Sequence, residues 1–462
     1  MNIRLLAAVL AARFVGWLSR MSGRGGSSLP GLIARRVYPA ALRDLAARLE
    51  WGAILLTGTN GKTTTAAMIR HIIETEGRPL LSNRAGANLI LGLTAALVQA
   101  ERWRIRPRAD IALLETDEAT MPRAGEEIQP RLIIVTNFFR DQLDRYGELT
   151  TTVRYVARGI ESLRPGGVLV LNADDPQAAQ LGAGRPDVLY YGLEGEAAAP
   201  GSAQGYDALD ARFCPRCGTE LNYDRRYYAH LGHYHCSDCG WRRPDPHIAV
   251  VRWSRAEHEM WVRIHGQVES FQWRLPGIYN LYNEAAAIAA GSAMGARPAA
   301  IRESLANFRP AFGRMETLMA GDTRLWLALV KNPVGFNQVL SAVAEETQQA
   351  GFSVMIVIND RYADGRDVSW LWDVDFEHWT GVLSPKRWYV SGLRARDMAV
   401  RLKYAGVAPE IVTMDEDVTR ILRTALSEAG GYTLYILPTY TAMLEVRQEL
   451  TQSGLVRHFR EG

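Results

Sequence analysis

The chain has 462 residues, more than one ordinary hydrophobic core serves, so two or three domains are expected. Apolar residues make up 47% and charged residues 22%, which excludes a disordered or fibrous chain. A net charge of +3 gives no support for a nucleic-acid wrap or a polybasic tail.

The first 36 residues stand apart. They carry Arg4, Arg13, Arg20, Arg24, Arg35 and Arg36, and no acid occurs before Asp44. The apolar run from Leu5 is interrupted at Arg13, so it falls short of the roughly 20 residues that span a bilayer. No small-residue cleavage site clearly follows it, so a secretory signal is not expected. Two readings stay open: an amphipathic helix lying on an anionic membrane surface, or a helix packed on the body of the protein, which the usual core-facing apolar stripe favours.

From Trp51 onward, strand-like apolar runs alternate with helical stretches. Strands are expected at Ala53–Thr57, Ile111–Glu115, Leu132–Thr136 and Val168–Asn172, and such alternation argues for a parallel sheet covered by helices. Residues 203–246 break the pattern with a stretch rich in Tyr, His, Cys and Gly, which reads as an inserted module. The parent pattern resumes with a strand at Ala249–Trp253 and a helix at Tyr279–Met294. A second α/β unit follows, with strands at Leu325–Val330, Ser353–Ile358, Trp388–Ser391 and Thr433–Leu437 and helices at Phe336–Gln348, Leu393–Tyr404 and Asp417–Glu428 between them. The expected division is a helical segment 1–50, a central ATP-binding domain 51–316 carrying the insertion, and a Rossmann-like α/β domain 317–462.

Thr57-Gly-Thr-Asn-Gly-Lys-Thr-Thr64 lies between an expected strand and an expected helix, as a phosphate cradle must. Gly58 and Gly61 let backbone N–H groups approach phosphate oxygens. Lys62 would reach the outer phosphates, and the Thr63 hydroxyl would ligate Mg²⁺. The helix N-terminus adds its positive dipole end. Leu56 stands where the general phosphate-loop pattern has its first glycine. A metal-holding acid is expected at a neighbouring strand end, and Glu115 is placed for it, with Asp117 and Glu118 as alternatives.

All four cysteines fall in two C-x-x-C knuckles, Cys214-Pro-Arg-Cys217 and Cys236-Ser-Asp-Cys239. This is the spacing of a structural Cys₄ zinc site; two disulfides or a redox pair are the alternatives. His230, His233 and His235 could replace a thiolate, but four cysteines already fill the shell. A zinc ribbon can also bind nucleic acid, and Arg216, Arg225, Arg226, Arg242 and Arg243 surround this one; its position inside a larger domain argues instead for a structural or docking role. The clustering of the cysteines points to a reducing cytoplasm rather than a disulfide-stapled secreted chain.

The shortened loop Gly58–Thr63 resembles the signature of the Mur ligases and folylpolyglutamate synthases. Five further stretches agree in order. Asn83–Asn88 resembles the N-x-x-G-x-N element, and Thr136–Asp144 the T-N…D-H-L-D element. Asn172-Ala-Asp-Asp-Pro176 resembles the nucleotide-side N-x-D-D, and Leu275–Asn280 with Asn283 the element near adenine. Gly313-Arg-Met-Glu316 resembles the G-R-x-E whose arginine, here Arg314, meets ATP phosphates. The departures narrow the resemblance. Little chain precedes the loop for a separate UDP-substrate domain. Gln142 replaces a histidine, and Leu329-Val-Lys-Asn-Pro333 replaces D-Y-A-H. With the four-cysteine insertion, the whole chain is similar to the MurT family, the synthetase subunits of lipid II isoglutaminyl synthase. Lys331–Gly335 and Asn359–Trp370 resemble that family's own signatures.

That resemblance implies an activity. ATP would phosphorylate the α-carboxylate of D-glutamate in the lipid II stem peptide, and ammonia would displace the phosphate to leave D-isoglutamine. Ammonia would come from a separate glutaminase subunit (GatD in this family) forming a heterodimer, whose Cys–His pair this chain completes with an aspartate that the motif places at Asp367. A carboxylate there would hold the histidine's tautomer and orientation. The residues alone do not separate Asp367 from Asp360, Asp364 or Asp373. The alternative activity is a stand-alone ligase that adds an amino acid.

Overall fold

A computed structural model describes residues 3–21, 28–83, 86–100, 109–141, 148–195, 210–309, 314–347 and 351–455. Three helices open the chain: α1 (Ile3–Met21), α2 (Leu29–Val37) and α3 (Ala41–Ala46). Pro30 sits in the first turn of α2, where a missing N–H costs nothing. The packed-helix reading of the N-terminal segment describes the inner face of α1. Leu5, Ala8, Val9 and Ala12 are buried in one core with α2, while a second apolar set faces outward.

The first sheet runs β11-β10-β9-β6-β5-β4-β1-β3-β2. Its strands are β1 (Gly52–Thr57), β2 (Leu80–Ser82), β3 (Ile111–Glu115), β4 (Leu132–Val135), β5 (Val168–Asn172), β6 (Val188–Leu193), β9 (Ile248–Ser254), β10 (Glu259–Ile264) and β11 (Gln267–Gln272). Neighbours from β2 to β9 pair parallel, as expected. The antiparallel extension β9-β10-β11 is unexpected; its turn Ile264-His-Gly-Gln267 is short and its strands alternate in burial, a pattern that reads as an isolated hairpin. β1 and β3 are buried at every position because helices cover both faces. α4 (Lys62–Thr75) and the helix Ile278–Ala293 pack on one side, and α2, α3 and α5 (Ile90–Ala100) on the other.

The second sheet runs β12-β13-β17-β14-β15-β16, built from β12 (Arg314–Ala320), β13 (Thr323–Ala328), β14 (Phe352–Val357), β15 (Trp388–Ser391), β16 (Val412–Met414) and β17 (Thr433–Pro438). It is parallel except for the β12–β13 hairpin. Met315, where the chain enters this sheet, has φ of +59°, a left-handed conformation seldom adopted by a large side chain.

Between β6 and β9 the chain leaves the sheet to form the cysteine module, whose hairpin is β7 (Asn222–Tyr228) and β8 (Leu231–His235). The module docks on its host. Arg225 donates to the carbonyls of Glu194 and Gly195, Tyr227 to Gly195, and Tyr234 to Ala173. Arg243 pairs with fully buried Asp174, which also accepts from the Tyr282 hydroxyl and the Leu193 amide. Such a buried pair needs every oxygen satisfied, and Asp174 meets that condition.

Candidate active site and metal centre

The phosphate loop leaves β1 and closes onto α4. Gly58 has φ of +119°, and a Cβ there would lie 2.3 Å from Thr136 Oγ1. Gly61 has φ of +85°, and its Cβ would meet Asn283 Oδ1 at 2.1 Å. Both positions therefore require glycine. The T-N element at the end of β4 secures the loop: Asn60 N donates to Asn137 Oδ1 at 2.9 Å, and Thr136 Oγ1 donates to the Asn60 carbonyl at 2.8 Å. Thr59 is buried, its hydroxyl bonded to the Phe139 amide and carbonyl.

The Asn83 side-chain amide donates to the Glu115 carbonyl and accepts from the Glu115 amide, and so sets the end of β3. That placement brings Thr63 Oγ1 to 2.6 Å from Glu115 Oε1. Lys62 is half-buried and donates to the Gly58 carbonyl and, at 2.8 Å, to Glu118. Burial opposes its charge, but Glu118, then Asp117 and Glu115, outweigh that and hold its pKa above the ordinary lysine value. Of the two alternative acids, Glu118 is thus the partner of Lys62, and Asp117 caps its own turn at the Ala119 amide.

Two clefts meet at the loop. One, of about 80 Å³, is lined by Asn60, Gly61, Thr64, Tyr228, Asn280 and Met315, with the start of the helix Pro333–Glu346 as its far wall. Asn280 donates to the Pro276 carbonyl and to Met315 Sδ, and accepts from Asn283. The other, of about 320 Å³, holds Lys62, Thr63, Glu115, Asp117, Glu118 and Asp141, together with Lys331, Tyr362 and Asp364 from the second unit. Its five carboxylates face two lysines, a surplus of hard oxygen donors that suits Mg²⁺. Thr63 and Glu115 are the pair placed to hold it.

Lys331 donates to Asp141 at 2.5 Å and to the Thr59 carbonyl at 3.1 Å, and Asn332 bonds Asn60 at 2.9 Å. In the sequence Lys331 stands out only through the substituted motif and the family signature Lys331–Gly335, and Asp141 has no assigned role. The signal available was the lysine's position directly after an expected strand of the second unit. Asp174 and Asp175 of the N-x-D-D stretch are buried groups and line neither cleft. The side chain of Arg314, and Gln142 and Asp144, lie outside the described residues.

The run after β14 separates its aspartates. Asp360 pairs with Arg394 at 2.8 Å. Asp364 is buried and accepts from the Thr441 amide and hydroxyl at 2.7 and 2.5 Å. Asp367 is exposed, lines a separate groove with Arg366, Trp372, Arg394 and Asp397, and accepts from the Ser369 amide at 2.8 Å. That Ser369 contact holds its carboxyl below the usual aspartate range.

In the inserted module the four sulfurs lie within 4.8 Å of one another, with Cys214–Cys239 at 3.7 Å and Cys217–Cys236 at 3.4 Å. None is in a disulfide. Tetrahedral zinc with bonds of about 2.3 Å spaces its thiolates at roughly 3.8 Å, so this donor set fits the ion. The histidines do not compete: His233 bonds the Leu193 carbonyl, His235 pairs with Asp224, and His230 is buried against Phe139.

Residues 56–212 match the Mur ligase middle domain, and residues 329–443 the MurT ligase C-terminal domain. The subunit MurT of lipid II isoglutaminyl synthase (glutamine-hydrolyzing) from Streptococcus pneumoniae is 35% identical over 99% of this chain and 99% of its own. The chain belongs to the MurT family. The MurT subunit of Staphylococcus aureus is 33% identical over 98% of this chain and 99% of its own. Among solved structures, a pseudomurein peptide ligase type C from Methanothermus fervidus has the same fold, with a TM-score of 0.66 at 22% identity over 89% of this chain and 80% of that one. The Asn359–Trp370 run lies inside the matched C-terminal range.

Proposed function

We propose that this chain is the ATP-consuming subunit of a ligase that amidates the α-carboxylate of D-glutamate in lipid II. One observation carries the reading. The larger cleft joins the phosphate loop, the Thr63–Glu115 pair and Lys331 to Tyr362–Asp364 of the family's own signature run. A carboxylate oxygen of the substrate attacks the γ-phosphorus of ATP, and ADP leaves. Ammonia then attacks the acyl carbon, phosphate departs with the electron pair, and one proton is lost to form the amide. Lys62 binds and orients the outer phosphates, and Asn280 and Asn283 border the adenine side. Mg²⁺ at Thr63 and Glu115 would supply charge neutralisation on the phosphates.

Ammonia comes from a glutaminase subunit that docks over Asp367. The exposure of Asp367, beside the internal bonds of Asp360 and Asp364, supports it as the aspartate that completes the partner's Cys–His pair. A lipid-linked substrate and a nucleotide co-substrate place the work at the cytoplasmic face of the membrane. The test is amidation of lipid II by the purified chain, with and without the glutaminase subunit. Glutamine-driven amide formation only with both, and ammonia-driven formation by this chain alone, is the expected result. ATP turnover dependent on an added amino acid, without the partner, would overturn it.

A further inference from the structure

α1 carries two apolar stripes. The inner one, Leu5, Ala8, Val9 and Ala12, is buried in the core shared with α2. The outer one follows the same helical spacing on the opposite face: Ile3, Leu10, Phe14 and Trp17, with Leu18 at its edge, all exposed. Ile3 is 78%, Phe14 60% and Trp17 50% exposed, and the Phe14 and Trp17 rings stack at 6.1 Å. A soluble surface rarely groups large apolar side chains this way without a partner for them.

The chemistry around the stripe says which partner. With 3.6 residues per turn, Arg4 and Arg13 fall on its opposite flanks, so the rim of the stripe is cationic on both sides. No acid occurs anywhere before Asp44. Among the described residues no helix is long and apolar enough to cross a membrane, so α1 can lie on a bilayer without spanning it. We infer that the outer face of α1 docks flat on an anionic lipid bilayer.

The fold ties that face to the larger cleft. α1 packs on α2 and α2 on α5, so closely that a Cβ on Gly31 would lie 1.9 Å from the Leu91 carbonyl. α5 begins directly after Asn88 and Leu89, which line the cleft. A docked α1 therefore holds the cleft two helices away from the lipid surface. The inference stands on α1 itself, and its test is separate from any amidation assay.

That test is co-sedimentation of the full chain with vesicles of phosphatidylglycerol and phosphatidylcholine, against vesicles of phosphatidylcholine alone. The chain is expected to pellet with the anionic vesicles and to release as salt rises. Phe14→Ser/Trp17→Ser is expected to abolish pelleting with the thermal midpoint and ATP turnover unchanged. Arg4→Gln/Arg13→Gln keeps the apolar face and should weaken binding by about fivefold per arginine; it reads the charge contribution even if the apolar variant folds poorly. Absence of vesicle binding, or binding undiminished in both variants, overturns the inference. So does loss of the glutaminase subunit by Phe14→Ser/Trp17→Ser with vesicle binding intact, which would assign the stripe to a protein partner.

Discussion

Lys331, from the second α/β unit, donates to the carbonyl of Thr59 inside the phosphate loop of the first. The same ammonium holds Asp141 at 2.5 Å. The second unit thus reaches into the nucleotide site with a cation instead of only closing over it. Lys331→Met is expected to raise the KM for ATP about tenfold, the scale of one charge-assisted hydrogen bond, and to slow turnover as well. Steady-state kinetics with varied ATP would check this, and an unchanged KM would confine Lys331 to a packing role.

Lys62 is held by Glu118 and by the Gly58 carbonyl, so an arriving triphosphate takes over contacts that already exist. Lys62→Ala is expected to lower ATP-dependent amidation by about 10²-fold or more, as loss of a charge-stabilising donor does. It leaves Glu118 without its cation while the fold and the heterodimer persist, as circular dichroism and size exclusion would show. Retained activity would remove the loop from the mechanism.

Asp367→Asn separates two nitrogen sources. Glutamine-driven activity is expected to fall by about 10³-fold or more, the order seen when a histidine loses its orienting carboxylate. Activity with free ammonia should stay close to the parent's. Equal losses with both sources would place Asp367 in the synthetase site instead.

The cysteine module touches the ATP site through its hairpin. Tyr228 lines the smaller cleft, and Tyr228 and His230 pack on Phe139, which bonds Thr59. Zinc removal, or Cys217→Ser/Cys239→Ser, is therefore expected to weaken ATP binding measured by calorimetry as well as to lower stability. Tyr228→Ala should weaken ATP binding by about three- to tenfold with zinc content unchanged. Nucleotide affinity indifferent to both changes would leave the module purely structural.

Glu284 is buried one residue after Asn283, and burial pushes its carboxyl well above the ordinary value of 4.5. In the folded chain it holds its proton to a higher pH than in the unfolded chain. Stability contributed by the protonated form is complete below pH 4.5 and is lost as pH rises toward the folded value. Glu284→Gln removes that dependence, so its stability advantage over the parent is expected to grow with pH in denaturant titrations. A difference constant from pH 5 to 8 would contradict the buried proton.

Much of this was legible because period and punctuation agreed. β3, β5 and β15 begin and end where the apolar runs do, and the loop glycines announced their own conformations. The cysteine spacing also gave its cluster directly. Other features were not legible because they depend on distant partners. Nothing local marks Asp174 as the anchor for Arg243, since the bond joins segments that only the folded sheet brings together. Asp360, Asp364 and Asp367 read alike in sequence, and only their partners Arg394, Thr441 and Ser369 tell them apart. The outer stripe of α1 was hidden by the inner one, because a helix apolar on both faces shows no single period.

β6 and β9 are adjacent parallel strands, joined from Tyr191 to Ile248, yet the whole cysteine module is looped out between them. The ribosome delivers β1 to β6 first, and β9 to β11 complete the sheet only across the segment that gathers the four cysteines. Completion of the sheet then waits on the folding of the cysteine segment, so a defect in that segment is expected to appear as chains with β9 to β11 unpaired.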